Sequence, residues 1–173
     1  MKKTILLLLV LCFSFSSCEK DDICDANTIT TPRLVITFRD FNNSSVEKSV
    51  TNLTIIGDGM KDGISFKGST LINGSTVSIP LKTDADTTTY HFILNYGNTN
   101  PALINEDIIQ FNYSRQTLFV SRACGFKTNY TLNPTNPFIH SDAAVPDLKW
   151  IQYVAVKNSI IANENETHLE IFF

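Results

Sequence analysis

An alternation of apolar and polar side chains with a period of two residues runs through most of this chain. It is clearest over residues 89–96 and recurs at residues 34–39 and 77–81. Successive side chains of a β-strand point to opposite faces, so this period indicates strands with one buried face. No segment shows the 3.6-residue apolar stripe of an amphipathic helix. The chain is therefore predicted to be all-β.

Turn signals separate roughly eight or nine short strand candidates, which favours a single antiparallel β-sandwich, Ig-like or related, over residues 32–173. Pro80 has no N–H to donate to a neighbouring strand, so its strand is predicted to lie at a sheet edge. Residues 112–116 are predicted to form a hairpin turn. Residues 132–147, which contain three prolines, are predicted to be a long loop.

The first 17 residues have the plan of a signal peptide. Two lysines precede an apolar run at residues 5–13, which is shorter than the ~20 apolar residues of a membrane-spanning helix. Phe15, Ser16, Ser17 and Cys18 then resemble a bacterial lipobox, which implies cleavage after Ser17 and a thioether-linked lipid on Cys18. Residues 1–17 are therefore predicted to be a lipoprotein signal peptide and residues 18–31 a lipidated polar tether. An ordinary secretory signal with an incidental cysteine is the alternative.

The residues that follow Cys18 bear on which side of the membrane the protein is exposed. Lys20, Asp21 and Asp22 resemble the surface-export signal of Bacteroidetes lipoproteins. The resemblance implies a lipid-anchored protein of the outer membrane that is exposed at the cell surface. In the alternative interpretation these residues are only a solvated tether, and the protein faces the periplasm.

Two of the four cysteines are left for the folded domain. Cys12 lies in the predicted signal peptide and Cys18 is the predicted lipid site, so Cys24 and Cys124 are the remaining pair. In an oxidising compartment a disulfide between them is the default prediction. A reactive thiol or a metal-binding pair is the alternative, but no histidine lies near either cysteine and the CxxC spacing is absent.

Size and charge exclude several classes of partner. Removal of 17 of the 173 residues leaves 156, which suits one domain with a proper core. The removed segment holds two lysines and no acidic residue, so the formal charge changes from −3 to −5. A mildly acidic chain lacks the basic patch that nucleic-acid binding requires, so no nucleic-acid partner is expected.

No catalytic, cofactor or metal motif is present. The chain lacks the GxSxG, HExxH, P-loop and GxGxxG patterns, so no catalytic residue, cofactor or metal site is predicted. A Ser-His-Asp triad assembles across a fold and cannot be read from sequence, which leaves an envelope hydrolase with a dispersed active site as an alternative function. His168 and Glu170 share one strand face, where they form either a weak metal-binding pair or part of a solvated surface.

Two further surface features concern glycans. Sugars bind to flat aromatic faces, and the candidates for such a platform are Trp150, Tyr153, Tyr90, Tyr96 and Phe126. The alternative is that these side chains pack in or beside the core, as strand aromatics usually do. Asp86-Thr87-Thr88 resembles the O-glycosylation motif of Bacteroidetes secreted proteins, which makes Thr87 a candidate acceptor.

Several strings in the chain resemble a family of uncharacterised Bacteroidetes outer-membrane lipoproteins. They are Cys24 behind an acidic tether, residues 31–36 (TPRLVI), residues 108–113 (IIQFNY) and residues 119–126 (FVSRACGF). The resemblance implies a compact domain of unknown function and brings no catalytic residue. The chain is therefore predicted to be a non-enzymatic surface-binding or envelope-assembly module, with a protein or a glycan as partner and the membrane held through Cys18.

Overall fold

The computed structural model describes residues 23–26, 28 and 30–173, and within them the chain forms eleven strands and a 3₁₀ turn at Pro101–Leu103. The strands are β1 (Leu34–Arg39), β2 (Val50–Gly57), β3 (Ile72–Gly74), β4 (Thr76–Ile79), β5 (Thr87–Leu94), β6 (Asn105–Ser121), β7 (Gly125–Leu132), β8 (Phe138–Asp142), β9 (Tyr153–Val156), β10 (Ile160–Ile161) and β11 (Leu169–Phe172). The predicted cleavage site, Cys18 and the export signal Lys20, Asp21 and Asp22 lie outside the described residues.

The strands form two open sheets. One has four strands in the order β4-β1-β11-β9. The other has seven, in the order β10-β7-β6-β5-β2-β3, with β8 also paired to β6. The prediction of an all-β, sandwich-like fold is confirmed. Among the described strands every pair is antiparallel except β1 and β11, which run parallel.

The core lies between the two sheets and follows the alternation in the sequence. In β1, Leu34, Ile36 and Phe38 are fully buried, and in β5 Tyr90 and Phe92 are buried while their neighbours are half-buried. These side chains belong to one apolar cluster that draws on both sheets. Burial of this surface is what stabilises the sandwich.

The longest strand, β6, corrects the predicted hairpin turn at residues 112–116. β6 continues through these residues to Ser121, and the chain turns at residues 122–124. The first half of β6 lies between β5 and β8, whereas the half after Asn112 pairs with β7. Residues 112–116 can be polar because both faces of the second half of β6 are largely exposed to solvent. Their polarity does not mark a change in chain direction.

Two other expectations concern proline. The segment 132–147 is not entirely loop, because Phe138–Asp142 forms β8 and pairs with residues 107–111. The prolines of that segment fall outside the strand. β4 ends at Ile79, directly before Pro80, and lies at the edge of the four-stranded sheet, as predicted.

The disulfide between Cys24 and Cys124 is confirmed, with the two Cα atoms 4.9 Å apart and a sequence separation of 100 residues. It joins the segment before β1 to the turn that links β6 and β7. Thr31 adds a second contact, because its hydroxyl accepts a hydrogen bond from the Thr128 N–H at 3.0 Å. In the part of the chain that the structure describes, no helix is long and apolar enough to span a bilayer.

Candidate functional site

The outer face of the seven-stranded sheet, which points away from the core, carries an open groove. Its floor is formed by His91, Glu106 and Ile108, and its walls by residues 101–104 and residues 143–147. The volume is about 460 Å³, within the usual range for a ligand site. We refer to this feature as the His91 groove.

Carboxylates flank the histidine on both sides. The His91 Nδ1 lies 2.5 Å from Glu106 Oε1, and its Nε2 lies 3.8 Å from Asp58 Oδ1. Because a carboxylate only accepts, the His91 Nδ1–H donates to Glu106. The exposed Asp58 carboxylate is beyond hydrogen-bond distance of the ring and can accept from a ligand. A second cleft of about 230 Å³, next to Met60, shares His91 and Glu106 with the groove.

Strand register brings these side chains together. In β5 the alternation buries Tyr90 and Phe92, so His91 points outward. Ile93 pairs with Glu106 and His91 with Ile108, which places the His91 and Glu106 side chains diagonally across β5 and β6. The outward position of His91 follows from the sequence, whereas its contact with Glu106 does not, because it depends on the register between two strands.

A third carboxylate closes one end of the groove. The Asp147 Oδ2 accepts a hydrogen bond from the Glu106 N–H at 3.3 Å. Partial burial, and to a lesser extent the nearby Asp142 and Asp107 carboxylates, raise the pKa of Asp147 above its ordinary value. The groove therefore combines apolar walls with the carboxylates of Glu106 and Asp147, an arrangement that favours a cationic ligand group.

A second histidine–carboxylate pair lies on the inner face of the same sheet. Asp107 is fully buried, and its Oδ2 accepts a hydrogen bond from the Ile151 N–H at 2.7 Å. The His140 Nε2 lies 3.2 Å from the same oxygen, within ion-pair distance but without hydrogen-bond geometry. Sequence reasoning missed Asp107, which no local pattern distinguishes from other strand residues.

His168 and Glu170 match neither interpretation drawn from the sequence. Both are buried rather than solvated. The Glu170 carboxylate pairs with Arg39 at 2.5 Å and lies 3.7 Å from the Lys157 ammonium. The His168 Nδ1 instead accepts a hydrogen bond from the Val35 N–H. Among the described residues, no group of three or more potential metal ligands is present.

The candidate aromatic platform is not assembled. Trp150 and Tyr90 are buried in the core, and the Trp150 indole N–H donates to the Phe92 carbonyl oxygen at 3.0 Å. Tyr153 and Tyr96 are exposed on separate elements, β9 and the turn after β5. Phe126 lies in β7 near the disulfide. The interpretation of Trp150 and Tyr90 as core residues is the correct one.

Other candidate features are on the surface. Thr87 begins β5 with its side chain exposed, so it is accessible as the predicted O-glycosylation acceptor. A cleft of about 490 Å³ lies beside β3 and is lined by Phe66, Lys67, Ser69 and residues 71–76. It has no acidic or histidine side chain, and the His91 groove therefore offers more chemistry for recognition.

Comparison with protein families gives one match. Residues 52–173 match the model of a family of unknown function, DUF6452. The matched region runs from β2 to β11 and so contains the floor of the His91 groove and Cys124, but not Cys24. Comparison with curated proteins and with solved structures found no match.

Proposed function

We propose that this chain, which belongs to the DUF6452 family of unknown function, is a lipid-anchored, non-enzymatic binding module of a bacterial envelope. Cys18 would carry the lipid, and the His91 groove would bind a segment of a partner protein. The observation that carries the proposal is the course of β6, which runs from Glu106 in the groove floor to Ser121 beside the disulfide.

The length of β6 separates the two ends. At about 3.3 Å per residue, the 15 steps from Glu106 to Ser121 span up to about 50 Å. Cys124 lies three residues beyond Ser121 and is bonded to Cys24, which is six residues from Cys18. A lipid on Cys18 would therefore hold the disulfide end near the bilayer and leave the His91 groove at the distal end, where a partner can reach it.

The chemistry of the groove specifies the kind of partner. Glu106 and Asp147 supply carboxylates in the groove and Asp58 lies beside His91 at its edge, while Ile104 and Ile108 supply apolar surface. A peptide segment with a lysine or arginine next to an apolar side chain would satisfy both. A glycan is less well matched, because the exposed aromatic side chains of the described residues do not line the groove.

The histidine geometry supports binding over hydrolysis. A hydrolase of the Ser-His-Asp type needs a hydroxyl or thiol nucleophile hydrogen-bonded to the histidine. The described contacts of the His91 and His140 rings lead to carboxylates, and the described hydrogen bond of the His168 ring leads to the Val35 backbone N–H. The side chains that could supply a nucleophile are absent from these contacts.

Two matched variants test the anchor. Cells that express the chain are labelled with an alkyne fatty acid, and the protein is analysed by intact mass spectrometry. We expect Cys18→Ser to lose the label and Cys12→Ser to keep it, because Cys12 lies in the segment removed by cleavage. Label on neither the parent chain nor Cys12→Ser would contradict the lipoprotein proposal. Protease digestion of intact cells then distinguishes surface exposure, which Lys20, Asp21 and Asp22 imply, from a periplasm-facing position.

An array of synthetic peptides and a glycan array test the groove. We expect peptides with adjacent basic and apolar side chains to bind. Glu106→Gln should weaken that binding by about tenfold, since it removes an ionic hydrogen-bond acceptor. Glu47→Gln is the matched control, because Glu47 accepts from the Ser75 hydroxyl away from the groove. Binding of glycans alone, or turnover of an envelope substrate, would contradict the proposal.

A further inference from the structure

The hairpin formed by β6 and β7 ends in an exposed aromatic pair. Phe119 and Phe126 are 62% and 68% exposed, lie directly opposite each other, and have ring centroids 5.4 Å apart. Phenylalanine is usually buried, and an exposed apolar patch of this kind commonly marks a contact with another surface. The two rings stabilise the hairpin by packing across its strands, yet most of both rings stays exposed and is available to contact another surface.

The tip projects beyond the rest of the sheet. β5 pairs with β6 only as far as Asn112, and in the described part of the chain the later residues of β6 pair only with β7. The base of the hairpin is fixed, because the Tyr130 hydroxyl donates to the Leu81 carbonyl oxygen and Thr128 contacts Thr31. The tip at residues 118–127 is thus held at its base and, through Cys124, at its turn, while Phe119 and Phe126 remain exposed.

The disulfide places this tip next to the proposed lipid. Phe126 is two residues from Cys124, whose partner Cys24 is six residues from Cys18. Six residues reach at most about 20 Å when fully extended, so a lipid on Cys18 could not lie far from the tip. Ile23, beside the disulfide, adds a third apolar side chain that is 81% exposed.

The charge of the hairpin also suits a lipid surface. From residue 108 to residue 141 the sequence contains no acidic residue but includes Arg122, Lys127 and Arg115, which pairs with Asp86, although the chain without its predicted signal peptide carries −5. Among the described ion pairs, none involves Arg122 or Lys127. Aromatic side chains flanked by basic ones are typical of segments at the interface of an anionic bilayer.

We propose that the tip at residues 118–127 is a membrane-docking surface, in which Phe119 and Phe126 enter the headgroup region of the bilayer that holds the Cys18 lipid. This inference rests on the proposed lipid anchor and goes beyond it. A lipid on a tether fixes only one point, and the tip supplies a second point that orients the domain. Docking would then direct the His91 groove away from the bilayer.

Tryptophan fluorescence of the full-length lipidated chain tests the docking. The chain with Phe126→Trp is reconstituted in vesicles of phosphatidylethanolamine and phosphatidylglycerol that contain a brominated phospholipid. We expect the new tryptophan to emit at shorter wavelength than in detergent-free buffer and to lose intensity to the brominated lipid. The parent chain is the blank, because Trp150 is buried in the core. Tyr153→Trp, at a position that is 58% exposed on β9, is the matched control and should be quenched by aqueous iodide instead.

Flotation of the vesicles separates failure of the docking from failure of the anchor. A chain that floats with the vesicles but whose Phe126→Trp signal behaves like Tyr153→Trp would overturn the docking and leave the lipid anchor intact. A chain that does not float would overturn both. If protection of the new tryptophan from iodide depends on protein concentration and not on lipid, copies of the chain contact each other at the tip, and the docking is also overturned. Phe119→Trp repeats each measurement if Phe126→Trp does not fold.

Discussion

At the scale of single residues, His168 is the clearest case of a side chain whose charge state is set by the fold. It is fully buried, and its Nδ1 accepts a hydrogen bond from the Val35 N–H at 3.0 Å. The backbone N–H of His168 donates to the Val35 carbonyl oxygen at 2.9 Å, so the two residues are held by two hydrogen bonds. A protonated ring could not accept the first bond, and burial lowers the pKa of His168 below its ordinary value of 6.5.

This geometry predicts an acid-sensitive stability. Because the pKa of His168 is lower in the folded chain, the unfolded chain binds more protons near pH 6, and stability falls as the pH falls. The loss begins near pH 6.5 and continues to the lower folded pKa, with a slope of at most about 1.4 kcal/mol per pH unit. Urea unfolding of the parent chain and His168→Gln between pH 7.5 and 5.5 measures the difference in pH dependence that His168 contributes. Equal slopes for the two proteins would contradict the assignment.

Asp107 provides a second test at this scale, because it is a buried carboxylate that holds the Ile151 N–H. Asp107→Ala removes the acceptor and leaves that N–H buried, so we expect a loss of about 3 kcal/mol in unfolding free energy. Asp107→Asn keeps an oxygen acceptor and should cost about 1 kcal/mol. Guanidinium unfolding compares the two, and equal losses would show that the hydrogen bond to Ile151 is not what Asp107 contributes.

At the scale of elements, the alternation of apolar and polar residues correctly predicted strands that have one buried face. The alternation in β5 correctly identified a strand with Tyr90 and Phe92 on one face, because burial of one face imposes a period of two. It could not reveal the second half of β6, where Arg115 and Gln116 are exposed and the strand is held by its partner β7. It also could not reveal that β1 and β11 run parallel, since that pairing joins the two ends of the domain.

One feature of the candidate site could be predicted from the sequence, and the others depend on the fold. The position of His91 on the outer face follows from the alternation in β5. Its contacts with Glu106 and Asp58 depend on the pairing of β5 with β6 and on the loop after β2, which are set by the whole sheet. Trp150 shows the opposite case, because an aromatic side chain with a polar N–H suits a sugar-binding face and a buried hydrogen bond equally well. Only the fold shows that its N–H meets the Phe92 carbonyl oxygen.

The hairpin of β6 and β7 depends on the disulfide more than the other strands do. Cross-linking residues 100 apart in sequence removes up to about 4–5 kcal/mol of chain entropy from the unfolded state. We expect the double variant Cys24→Ser/Cys124→Ser to lose an amount of this order in guanidinium unfolding. Hydrogen exchange in β5, which pairs on both sides, should rise only as far as the global loss requires, whereas exchange at Thr128, whose N–H bonds to Thr31, should become independent of denaturant because the hairpin opens locally. The same denaturant dependence of exchange at both positions would contradict this local role.

At the scale of the whole molecule, β6 acts as an axis that joins two different surfaces. Its first residues form the floor of the His91 groove, and its last residues lead to the disulfide and the exposed phenylalanine pair. The two surfaces differ in character, since the groove is acidic and the hairpin is basic and aromatic. An anchored module needs this separation, because a partner and a bilayer cannot occupy the same end.

Energy transfer to the membrane tests directly which end of β6 lies nearer the bilayer. A fluorophore is attached through an unnatural amino acid at Asn98, in the exposed turn between β5 and β6, or at Gln116, in the exposed half of β6. With an acceptor lipid in the vesicle, we expect weaker transfer from Asn98 than from Gln116, because β6 places the first label tens of ångströms farther from the disulfide. Stronger transfer from Asn98 would place the His91 groove against the bilayer and exclude it as a site for a partner protein. Equal transfer from both labels would mean that the domain lies flat or rotates freely on its tether, so that the groove could not be held at the distal end.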